Sequence, residues 1–165
     1  MKKNVSVFLR MHLLTFLFVA AFCSDLSAQQ SAPYQQAIGL KLPGGFSATY
    51  KKFLTATHNL EAQATIWNKG FRVSGLYEFN FYSFPSVENL SWFVGPGAHI
   101  GFWKDADKKD YGSKFDFGID GIIGLDYKLK DLPINMSLDW QPSITLAGST
   151  GFSPVFGGFA IRYTF

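Results

Sequence analysis

The stretch "FDFGIDGIIGLDYKL", residues 115–129, sets Phe115, Phe117, Ile119, Gly121, Ile123, Leu125, Tyr127 and Leu129 against Asp116, Gly118, Asp120, Ile122, Gly124, Asp126 and Lys128. Successive side chains of an extended chain point to opposite faces, so this pattern is a strand with one greasy and one mostly small or charged face. It is also far longer than the five or six residues of an ordinary strand. Any fold for this chain must cover a long apolar face and must place a row of carboxylates and glycines opposite it.

The same rhythm recurs along the chain. Ile134, Met136, Leu138, Trp140, Pro142, Ile144 and Leu146 oppose Asn135, Ser137, Asp139, Gln141, Ser143 and Thr145. Phe71, Val73, Tyr77, Phe79 and Phe81 oppose Arg72, Ser74, Glu78 and Asn80, and Trp92, Val94, Pro96, Ala98, Ile100 and Phe102 oppose Gly95, Gly97, His99 and Gly101. A shorter segment sets Leu60, Ala62, Ala64 and Ile66 against Glu61, Gln63, Thr65 and Trp67. Divided at its turn-rich stretches, the chain is predicted to form eight strands at 35–42, 46–54, 60–68, 71–83, 91–103, 115–129, 134–146 and 155–165. Pro96 and Pro142 remove ladder donors and are expected to mark bulges.

Alternation alone fits a soluble barrel with its apolar face inside or a membrane barrel with that face outside. Bulk separates them. An eight-stranded barrel has a narrow interior that side chains fill, and three or four aromatics from each of several strands exceed it. The opposite set, rich in Gly, Ser, Thr and Asp, fits such a lumen. The expected fold is therefore all-β, a closed eight-stranded antiparallel transmembrane β-barrel whose strands match the 9–11 residues that a tilted crossing needs.

The first 28 residues read as a cleaved signal peptide: Lys2, Lys3 and Arg10 flank the apolar run Leu13 to Phe22, and a small-residue site follows, with the cut expected after Ala28. Cys23 follows Phe22, where lipoprotein processing needs a small residue, and the apolar run is short for a membrane helix. Residues 29–165 then form the barrel, without thiol or disulfide. The signal removes three basic residues and Asp25, so the mature chain keeps 12 of 15 basic and 11 of 12 acidic residues. That balance gives no reason to expect nucleic acid as a partner.

Between the strands lie "PGG" (43–45), 55–59, 68–70, 84–90, "KDADKKDYGSK" (104–114), 130–133 and "AGSTGFSP" (147–154). With the N-terminus in the periplasm, the odd connections face outside. The longest connection and the Gly/Ser-rich seventh then form the exterior contact surface for a partner the sequence does not name. Tyr34, Tyr50, Trp67, Trp92, Trp103, Tyr111, Tyr127 and Tyr163 are candidates for interfacial aromatic girdles.

The signal, the eight alternating strands and a last strand ending "FAIRYTF" resemble the small eight-stranded outer-membrane β-barrels of Gram-negative bacteria, which resemble the membrane domain of OmpA. "GLKLPGGFSATYKKF", "WFVGPGAHIGFW" and "DFGIDGIIGLDYKLKDLPINMSLDWQP" also resemble small porin-like barrels described only by that architecture. The resemblance covers nearly all of the mature chain and implies an outer-membrane location, among lipid and lipopolysaccharide. It further implies that Phe159, Ile161, Tyr163 and Phe165 are the signal read by the barrel-assembly machinery. It says little about activity, because a fold does not determine function.

Lys41, Lys51, Glu61, Arg72, Glu78, His99, Asp116, Asp120, Asp126, Lys128, Asp139 and Arg162 are predicted to face the lumen. Charges in a narrow interior need partners. Arg72 and Arg162 are accordingly expected to sit among Glu78, Asp120 and Asp139 in one packed plug, with His99 hydrogen-bonded beside them. The alternatives are a narrow channel for ions or small apolar molecules, and a lipid A-modifying enzyme using His99. Such an enzyme needs an activated hydroxyl and an acid near its His; the lipid A deacylase barrels that share this architecture carry His and Ser two positions apart and the palmitoyltransferase barrels begin with an amphipathic helix, yet here position 101 is Gly, "QQSAPYQQ" is no such helix, and His58 falls in a predicted turn. "KDADKKD" lacks the Gly turn and terminal Glu of a calcium loop. No cofactor, metal or catalytic residue is expected. The reading is an integral outer-membrane barrel with a structural or surface-interaction role.

Overall fold

The computed structural model describes residues 32–68, 70–104, 115–148 and 150–165. The expected signal peptide and residues 105–114 of the fifth connection, including Tyr111, lie outside these residues. Eight strands run β1 (Gln36–Pro43), β2 (Phe46–Phe53), β3 (His58–Trp67), β4 (Gly70–Phe81), β5 (Leu90–Trp103), β6 (Phe115–Lys128), β7 (Ile134–Ala147) and β8 (Gly151–Thr164). Each pairs antiparallel with its neighbours in sequence, and β1 pairs with β8 from Ala37↔Thr164 to Pro43↔Gly158, closing the barrel. Closure leaves no open sheet edge. Beyond the ladder, Gln36 and Phe165 exchange both backbone hydrogen bonds at 2.9 Å, so the chain end is held.

The direction of the alternation is as the sequence predicts. On β6, Phe115, Phe117, Ile119, Ile123, Leu125 and Tyr127 are exposed, while Asp116, Asp120 and Asp126 are buried. The same holds on every strand, so the polar set fills the interior and the apolar set forms the outer surface.

Four expectations are corrected. First, β8 begins at Gly151 rather than residue 155, and the seventh connection shrinks from 147–154 to 148–150. The hairpin can tighten because Gly148 takes φ 94°, and a register shift between Gln141 and Ser143 absorbs the geometry of Pro142. Pro142 thus marks a bulge as expected. Pro96 does not, since it stays in register opposite Gly121.

Second, Trp67 and Trp103 are odd-numbered residues on strands whose odd positions face inward, so they line the lumen mouth instead of an outer girdle. Tyr34 is buried, with its ring against Phe53 and its hydroxyl 3.4 Å from Asp126. Tyr50, Trp92, Tyr127 and Tyr163 do lie on the outer face. Third, His58 is the first residue of β3, with Nδ1 2.8 Å from the Tyr77 hydroxyl, rather than part of a turn. Fourth, Lys128 is only half-buried and donates to the carbonyls of Leu129 and Leu132 at 2.8 Å, capping the sixth connection instead of joining the lumen charges.

Candidate functional site

The barrel has a lower end, carrying both ends of the strand set, and an upper end, carrying the odd-numbered connections. Lumen residues near the last turns of β2, β4, β6 and β8 fall at the lower end, where Lys51 is fully buried. Its ammonium lies 2.9 Å from Glu78 Oε2, 3.2 Å from Asp126 Oδ2 and 3.3 Å from Glu61 Oε2, and 4.4 Å from the Phe93 ring centroid. Arg162 spreads its fork across four strands. Nη2 donates to Glu61 Oε1 at 2.7 Å, Nε to Thr49 Oγ1 at 2.9 Å, and Nη1 to Ser137 Oγ at 2.7 Å and Asn135 Oδ1 at 3.3 Å. Asn135 in turn donates to Asp126 at 2.6 Å. A planar guanidinium suits such divergent acceptors better than a point-charge ammonium.

A second centre lies higher. Arg72 Nη2 donates to Asp120 Oδ1 at 2.5 Å and Nε to Ser74 Oγ at 3.2 Å, while His99 Nδ1 lies 2.9 Å from the same Asp120 oxygen. His99 has room because its neighbour across the ladder is Gly118, where an added Cβ would fall 2.5 Å from the imidazole. A third pair, Lys41 to Asp139 at 2.5 Å with Gln141 at 3.4 Å, bridges β1 and β7.

The six lumen residues singled out from sequence, Arg72, Glu78, His99, Asp120, Asp139 and Arg162, are all buried inside the barrel. They do not form one plug. Arg72 takes Asp120 and His99, Arg162 takes Glu61, Glu78 goes to Lys51, and Asp139 goes to Lys41. The reason is partly an apolar layer that alternation did not reveal. Leu76, Phe93 and Ile122 face inward, each lying along its strand between the upper and lower polar groups. Inward glycines make space for them, since a Cβ at Gly97 would strike Leu76 and one at Gly124 would lie 2.7 Å from Phe93. The signal available in the sequence was an apolar residue on a polar face beside a glycine on the next strand.

Between the Arg72 and Lys41 pairs lies a cavity of about 10 Å3, lined by Ser47, Thr65, Ser74 and Gln141 among others. That is about the space of one water molecule. Above Arg72 the lumen opens into a cavity of about 750 Å3. Among the described residues no group of three or more His, Cys, Asp or Glu side chains is placed to hold a metal ion. The Phe159, Ile161, Tyr163 and Phe165 side chains all lie exposed along the outer face of the last strand and chain end. Compared with known proteins, the chain matches no family profile and no curated protein.

Proposed function

We propose that this chain is an integral outer-membrane β-barrel, delivered by a cleaved signal, with a side-chain-filled lumen and a structural or surface-interaction role without catalysis. The observation that carries the reading is the inverted polarity. Leu, Ile, Val, Phe and Trp residues are exposed on all eight strands, while Lys, Arg, Glu and Asp are buried. In water, so large a continuous apolar surface drives aggregation. In a bilayer it is solvated by acyl chains, and the closed ladder meets the demand that every backbone polar group be satisfied internally.

The three ion-paired centres and the narrow 10 Å3 cavity beside Arg72 and Lys41 favour a packed lumen over a channel. His99 is buried within the lumen, away from the outer surface where a lipid ester would lie, which favours a packing role over lipid A chemistry. Phe165, Tyr163, Ile161 and Phe159 are proposed as the stretch read by the assembly machinery, since all four present their side chains outward on the strand that closes the barrel.

The test is an outer-membrane fraction run on a gel with and without boiling. A folded barrel is expected to migrate differently unheated, and the purified protein is expected to give no unit conductance in planar bilayers. Recovery as a soluble periplasmic protein without a heat-dependent shift would overturn the reading.

A further inference from the structure

The upper cavity is built from aromatic rings and unequal charge. Trp67 meets Trp103 at 5.2 Å between ring centroids and an interplanar angle of 64°, and meets Phe156 at 6.1 Å. Beneath them the Arg72 guanidinium carbon stands 3.9 Å from the Phe156 centroid, and its Nη2 is paired with Asp120. The charge of Arg72 is therefore already met by a carboxylate and a ring. Asp116 also lines the cavity and is buried, and its Oδ2 accepts a hydrogen bond from Trp103 Nε1 at 2.6 Å. The charge of Asp116 also acts on Arg72, whose direct ion pair is with Asp120.

Two carboxylates, Asp116 and Asp120, thus face one guanidinium. An anionic ligand would have to displace Asp120 from Arg72 and would meet Asp116 as well. A cation meets indole rings, whose negative faces attract it, and a carboxylate that shares the one guanidinium facing it with Asp120. At about 750 Å3 the cavity is within the range of small-molecule sites.

We propose that the upper mouth binds a small organic cation, a substituted or quaternary ammonium group, against the indoles of Trp67 and Trp103 with Asp116 as counter-ion. The Trp103 N–H bond to Asp116 orients both. Arg72 and Phe156 form the floor, which keeps the ligand at the mouth rather than passing it through the lumen. The proposal rests on the outer-membrane reading only for the side from which ligand arrives.

The test uses the full chain refolded in detergent, with choline and its uncharged isostere 3,3-dimethyl-1-butanol titrated against intrinsic tryptophan fluorescence, and benzoate as the anionic control. Saturable quenching by choline alone is expected, weakened about tenfold in Asp116→Asn. Trp67→Leu is expected to weaken it similarly, and it keeps the test decisive if Asp116→Asn does not fold. Folding of each variant is read from the unheated gel shift. No saturation with choline, an equal response to the isostere, preference for benzoate, or unchanged affinity in a folded variant would each overturn the proposal. Binding in detergent by a protein absent from the outer membrane would leave this inference standing and sink the location instead.

Discussion

Arg162 is where a single residue decides most. It is 1% exposed and joins β2, β3, β7 and β8 through Thr49, Glu61, Asn135 and Ser137. Replacing it with Met leaves Glu61 short of one cation in a desolvated interior, at an expected cost of roughly 3–5 kcal/mol. Urea unfolding in lipid vesicles measures this, and Arg162→Met with Glu61→Met should regain much of the loss, because removing both charges removes the imbalance. A single-variant loss under about 0.5 kcal/mol, the range of ordinary surface substitutions, would show that the pair is not structural. At the lower surface, by contrast, Lys130 contacts Glu88 at 2.9 Å with both side chains exposed, linking the fourth and sixth connections. The hydrogen bond and charge of Lys130 hold the Glu88 carboxyl below the ordinary carboxylate range. A depressed carboxyl stabilises the fold above its unfolded value and loses that contribution as pH falls through its folded one. Lys130→Gln should move the Glu88 titration up in an NMR experiment with almost no change in stability.

Among the elements, β4 and β6 carry glycines on opposite faces with opposite expected effects. Gly118 faces inward on β6, where a Cβ would meet both the Ile144 carbonyl and the His99 ring. Gly118→Ala should cost about 1–3 kcal/mol by overpacking and should displace His99 from Asp120. Gly75 faces outward on β4 with nothing within 4 Å of an added Cβ. Gly75→Ala should be neutral or stabilising by up to about 1 kcal/mol, because it restricts the unfolded chain. Equal effects at the two sites in vesicle unfolding would contradict the inward and outward assignment. The strands themselves were legible from period two, which is a local property. The start of β8 was not, because Pro154 and two glycines read as loop until β7 offers them a partner strand across the bulge.

At the scale of the whole molecule, the outer surface and the closing strand carry the proposed location. Ile123 lies mid-strand on the exposed face of β6. On the membrane reading, Ile123→Arg should destabilise the barrel by about 2–4 kcal/mol in vesicles, the cost of a basic side chain near the bilayer midplane. A soluble barrel would tolerate the same change. Deleting Phe165, whose backbone pairs with Gln36 and whose ring stacks with Tyr163, should reduce the heat-shifted form in outer-membrane fractions. Unchanged assembly would remove the last residue from the proposed signal.

Taken by itself, the amino-acid order determined the strand number, the alternation of apolar and polar faces and the inward burial of Arg72, Glu78, His99, Asp120, Asp139 and Arg162, because all of these follow from a two-residue period and side-chain volume. Which charge meets which was decided only in three dimensions. Glu61 and Arg162 are separated by 101 positions in sequence, as are Lys41 and Asp139 by 98, and only closure of β1 against β8 brings those strands round one lumen. The inward Leu76, Phe93 and Ile122 then keep the Arg72 and Lys51 centres apart, and Trp67 and Trp103 line the lumen mouth above Arg72, where residue type alone had placed them in an outer girdle.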